Sequence, residues 1–213
     1  MTSQPIDRVH SLSTPRAAAF AGVLFALLFG TALVMIRKSL PEGAEPGSQW
    51  ADGGHGIRVS AILMPFAGIA FLWFIGVVRD GFGGFEDKFF SSVFIGSGLL
   101  FLAMIFVSSA VGVALTHTGP DGALFGQALL LSLSKTYALR MAAVFMISLA
   151  TIWLKTGLMP KWLVGVTYLV AVGLILSADI SMWLTLAFPI WVLVVSLLLL
   201  SRAGVIDLDR DGR

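Results

Sequence analysis

The stretch Trp162–Ser201, WLVGVTYLVAVGLILSADISMWLTLAFPIWVLVVSLLLLS, runs for 40 residues with a single charge, Asp179, and its reading decides the fold. A straight helix of that length would measure about 60 Å, twice the hydrocarbon thickness of a bilayer. The tract must therefore fold back on itself, and the polar Ser177–Ser181 (SADIS) near its middle is the natural apex. Two spans result, about 162–178 and 181–201, in a tight hairpin whose second limb Pro189 is expected to bend.

On the N-terminal side of this hairpin, Thr156–Lys161 (TGLMPK) is a short link holding a glycine and a proline. Before it lies Lys135–Lys155, KTYALRMAAVFMISLATIWLK, a span over about 136–154 that carries Arg140. The remaining apolar runs, about 17–36, 59–78 and 89–115, hold no ionisable side chain, and each is long enough to cross hydrocarbon. Six spans predict an all-α polytopic membrane protein, a bundle of six transmembrane helices with short loops, because in lipid every backbone polar group must be satisfied within the segment. The expected division is a polar segment at 1–16, a transmembrane domain at 17–201 and a polar tail at 202–213. Composition agrees, with 57% hydrophobic and 12% charged residues in a chain of 213 and a mean hydropathy of +0.93.

Thr14-Pro15-Arg16 reads as a helix start, with an N-cap threonine and a proline at the first helical position. The first span is stopped by Arg37-Lys38 rather than by a small-residue cleavage site, so it is expected to be retained as a span. Its Ala18, Gly22, Ala26 and Gly30 recur every four residues as a smooth stripe, either a dimer face or a seam of close packing inside the bundle. The stretch 37–57 is expected to be a solvated loop, rich in Pro, Gly and acidic residues, and Pro65 should bend the second span. The 79–88 loop, RDGFGGFEDK, joins two spans and lacks the strand-to-helix setting of a phosphate cradle. Gly122–Ser134 is apolar, yet no turn parts it from the span that follows. It is either an interfacial helix or an extension of that span.

Basic residues set the threading. With six spans, one side holds nine of the 14 lysines and arginines and the other five, namely Arg37, Lys38, Arg58, Lys135 and Arg140. The positive-inside bias predicts a multi-pass plasma-membrane protein with both termini cytoplasmic. The net charge of +2 comes from these flanking residues and carries no nucleic-acid signal. Absence of cysteine excludes disulfides, thiol redox chemistry, iron–sulfur clusters and Cys-based zinc sites.

One constellation invites a functional reading. A charge inside a span costs on the order of 2–3 kcal/mol unless paired, hydrated or snorkelling. By span count Arg140 sits about one turn inside the outer rim and Asp179 at the outer apex of the last hairpin. Arg58, His117 and Tyr137 fall on the same side. Together they could line an outward-facing polar pocket for an anionic ligand or lipid headgroup, with Arg140 as the fixed cation and Asp179 orienting it. The plainer reading has Arg140 snorkelling and Asp179 capping a turn. No catalytic set, metal site or cofactor is expected: His55 and His117 lie near span ends, Glu86-Asp87 point apart, and no zinc-protease or nucleophile-elbow motif occurs. A structural or partner-binding component of the membrane is the leading class, with lipid and another membrane protein or a second copy as partners. A small transporter or lipid- or anion-binding protein is the alternative.

Phe71–Phe106, FLWFIGVVRDGFGGFEDKFFSSVFIGSGLLFLAMIF, together with LMPKWL at Leu158–Leu163 and the last hairpin, resembles uncharacterised six-span membrane proteins of actinobacteria. The resemblance covers most of the membrane part. It implies the fold and a membrane location, and carries no activity or site residue.

Overall fold

The computed structural model describes residues 14–39, 54–81, 88–117, 120–177 and 182–202. All are helical or short helix links. The elements are α1 (Thr14–Ser39), α2 (His55–Asp80), α3 (Lys88–Leu115), α4 (Pro120–Leu131), a π-turn (Ser132–Tyr137), α5 (Ala138–Thr156), α6 (Lys161–Ser177), a 3-10 turn (Met182–Leu186) and α7 (Ala187–Arg202). Five helical rods are long and apolar enough to cross a membrane, counting α4, the π-turn and α5 as one. The sixth, α6, has 17 residues, or about 25 Å at 1.5 Å per residue, and is shorter than the hydrocarbon layer.

The six rods close into a ring. α1 packs against α2 and α7, α3 against α2 and the α4–α5 rod, and α5 against α6, which touches α7. Gly22 of α1 faces Ser196 of α7, while Arg37 at the other end of α1 meets Trp183 just before α7. α1 and α7 are thus antiparallel, and Thr14 and Arg202 lie at the same end of the bundle.

Aromatic rings from five of the rods fill the interior. Phe71 of α2 lies 4.6 Å from Phe25, 5.5 Å from Phe101, 5.2 Å from Phe145 and 5.8 Å from Phe188, centroid to centroid. Most of these pairs are tilted or edge-on, which suits the quadrupole of each ring. Trp191 extends the cluster through Phe188, and its Nε1 donates to Thr167 Oγ1 of α6 at 2.9 Å. Outward faces carry the opposite pattern of exposure, with Phe20, Ile62, Phe66, Leu169 and Leu176 all more than half exposed. In water such a surface would drive association; in lipid it is the solvated one.

Two expectations are sharpened in detail. Gly122–Ser134 is an extension, since α4 passes without a break through the π-turn into α5, giving 35 helical residues from Gly122 to Thr156, about 52 Å. The π-turn absorbs the register: Ala138 N–H bonds to Leu133 O, five residues back. Pro189 lies where the last rod passes from the 3-10 turn into α7, inside one continuous run of helical residues from Met182 to Arg202. The supposed loop at 37–57 is shorter than expected, because α1 continues to Ser39 and α2 starts at His55. The α5 rod ends at Gly157, whose φ of 66° lets its N–H reach Trp153 O at 2.9 Å.

Candidate functional site

Basic residues stand at helix termini at both ends of the bundle. At one, Arg79, Lys88, Lys155 and Lys161 sit at helix termini, and Lys155 holds its Nζ 4.6 Å from the centre of the Phe90 ring. At the other lie the close of α1, the start of α2, the α3–α4 turn and the 3-10 turn.

This second end holds what the span count did not foresee. Among the described residues Arg37 is the buried charge, with 7% of its surface exposed, and its Cζ lies 5.4 Å from the centre of the Trp183 ring. Sequence reasoning placed Arg37 at the lip of a solvated loop. The correction has a simple cause: α1 runs one turn past its apolar stretch, and helix side chains lean back toward their own N-terminus, so the guanidinium returns to the bundle and finds an aromatic face. Trp183, on the 3-10 turn, could not be tied to Arg37 by sequence spacing.

The residues singled out from sequence fall at different depths. Arg58 is exposed in the first turn of α2, and His117 is exposed in the turn after α3. Gly112 of α3 marks their level, for a Cβ there would stand 3.1 Å from both Ile57 and Leu130. His117 lies five residues beyond Gly112. Arg140 lies ten residues inward from Leu130, about 15 Å at helical rise, so it is well below the level of Arg58 rather than one turn under the rim. Tyr137 ends the π-turn and is 55% exposed, and Arg140, in the first turn of α5, is half-buried. Asp179 lies outside the described residues, as do Trp50 and Glu86-Asp87. The described helix α6 ends two residues before Asp179. With Thr151 Oγ1 and Tyr168 OH 2.7 Å apart setting the α5–α6 register, that end comes within about a turn of Arg140.

The small-residue stripe divides between two environments. Gly22 is buried where α1 meets α7, with Ser196 Oγ and the Phe74 ring closed over it, and Ala26 is 7% exposed. Gly30 instead has no atom within 4 Å of where a Cβ would sit, and opens on a groove of about 360 Å³ between α1 and α7 lined by Leu27, Thr31, Pro189 and Ile190. The side chain of Ala18 lies outside the described residues. A second groove, of about 430 Å³, runs between α1 and α2 under Phe20, Phe66 and Trp73. Both grooves are apolar and face lipid.

Four serines form a cluster, of which the sequence reading marks only Ser108, as a small position for tight helix contact in the third span. Ser60, Ser108, Ser109 and Ser134 share with Leu33, Ile57, Met64 and Ile105 the lining of a partly open cavity of about 20 Å³ between α1, α2, α3 and the π-turn. The signal available was Ser60 as the one hydroxyl of α2 and the adjacent Ser108-Ser109 pair in the apolar second half of α3. Among the described residues no group of three His, Asp or Glu side chains is placed to hold a metal ion.

An all-helical bundle with a ring-filled interior and an apolar outer surface defines a polytopic α-helical membrane protein. No family model, curated protein or solved structure matches the chain.

Proposed function

We propose that this protein is a structural or partner-binding component of the plasma membrane, threaded with both termini in the cytoplasm. The observation that carries this reading is the filled interior. Phe25, Phe71, Phe101, Phe145 and Phe188 are buried and interlocked where a translocation path would run, so binding surface is on offer at the lipid faces and the two ends. The threading draws support from the nine-to-five split of basic residues and the antiparallel α1 and α7. Kinship with the six-span actinobacterial proteins belongs to the same proposal.

A second reading, recognition of an anionic lipid headgroup, is favoured by Lys135, Tyr137 and Arg140. Lys135 and Arg140 are half-buried and Tyr137 is exposed, all on the long rod that packs against the short α6. There a guanidinium and an ammonium within two turns would suit a phosphate, and Asp179 would orient Arg140.

One preparation tests both. Extracted from its native membrane in polymer nanodiscs, the protein is expected to run as a complex of fixed stoichiometry, unaffected by Arg140→Leu or Asp179→Asn. A monomer that conducts solute in liposomes would overturn the first reading. A complex or bound anionic lipid that disappears in Arg140→Leu, with the fold intact, would favour the second.

A further inference from the structure

The serine-lined cavity carries an inference of its own. Its hydroxyls come from three rods, and their donors are mostly spent on carbonyls. Ser60 Oγ donates to Gly56 O at 2.7 Å and lies 2.8 Å from Ala32 O, while Ser108 Oγ and Ser134 Oγ both donate to Leu130 O, at 3.2 and 2.7 Å. Each of the three keeps oxygen lone pairs that can accept. Ser109, half-buried on the cavity wall, forms no hydrogen bond with the described residues, so it still has a proton to give.

The inventory is therefore three acceptors and one donor around a space of about 20 Å³. A space of roughly 10–15 Å³ suffices for one water, and a water needs two to four polar partners. With two protons to donate and two lone pairs to receive, one water satisfies this set, accepting from Ser109 and donating to two of the other three hydroxyls. Ser60, Ser92, Ser97 and Ser134 all bond the carbonyl four residues back, whereas Ser109 makes no such bond and keeps its donor for an occupant of the cavity.

We propose that the cavity between α2, α3 and the π-turn binds a single ordered water that accepts from Ser109 and donates to two of Ser60, Ser108 and Ser134. Its position explains why hydroxyls gather here. Leu130 O accepts two of them one turn before Ala138 N–H reaches back five residues, so the water and the serines brace the segment in which the long rod changes its helical register.

Two measurements test this on the full chain. An experimental structure in lipid nanodiscs should show a density peak within hydrogen-bonding distance of at least two of the four hydroxyls. Ser109→Val, which adds a methyl group and removes the donor, separates a wet cavity from a dry one by sign. In a wet cavity it expels the water and lowers the melting temperature by about 2–4 °C. In a dry one it fills space and holds or raises it. An empty cavity in a map that shows ordered water elsewhere in the chain, or a Ser109→Val protein that melts at or above the wild-type temperature, overturns the proposal.

Discussion

Replacing Phe71 by alanine tests the ring-filled interior most directly. Phe71 is fully buried and meets Phe25, Phe74, Phe101, Phe145 and Phe188 with ring centroids between 4.6 and 6.2 Å away. In a water-soluble core the change would cost about 3–5 kcal/mol, part of it for transfer of the ring out of water. That part is missing here, because a helix separated from the bundle still keeps Phe71 in hydrocarbon. What remains is the void and the lost ring contacts. A void on the order of 100 Å³ at about 24 cal/mol per Å³ gives roughly 2.4 kcal/mol. Lost edge-on geometry adds about 0.5–1.5 kcal/mol. The expected loss is about 3 kcal/mol, read by reversible unfolding in bicelles. Phe66→Ala is the control, five residues away on α2 and 59% exposed to lipid, with an expected change within about 0.5 kcal/mol. Equal losses for Phe71→Ala and Phe66→Ala would refute the reasoning, since burial against the ring cluster is all that separates the two.

Two further outcomes follow from close contacts. Gly22→Ala places a Cβ against Ser196 Oγ and within 2.8 Å of a Phe74 ring carbon, and is expected to cost about 1–3 kcal/mol, of which a second change, Ser196→Ala, recovers part. Strict additivity of the two changes in a double-mutant cycle would show that α1 and α7 do not meet there. Thr167→Val keeps the shape but takes the acceptor from Trp191 Nε1, with an expected loss of about 1–3 kcal/mol in the same unfolding assay, while Thr167→Ser stays near wild type. Equal losses for the two variants would place the effect in packing rather than in the hydrogen bond.

The filled interior also bears on Arg140. From sequence it was the lone charge inside a span, one turn from the rim, because Thr136 looked like the outer end of that span. The rod in fact starts at Pro120, and the level of α2 is set on it by Leu130, so the same residue lies deeper. Depth of a side chain is a relation between rods, and span length alone does not supply it.

The chain by itself determined that it forms apolar rods, about where all but the fourth begin and end, and that Trp162–Ser201 makes two of them. These are local matters: hydrocarbon thickness sets the length, and a helix satisfies its own backbone. Tertiary structure alone decided that Arg37 turns inward to Trp183, that Gly22 is buried while Gly30 opens outward, and that four serines from three rods share one cavity. Each of these depends on which face of one rod meets which face of another. Sequence periodicity carries little of that where every face is apolar, since core and lipid then differ in packing and not in polarity.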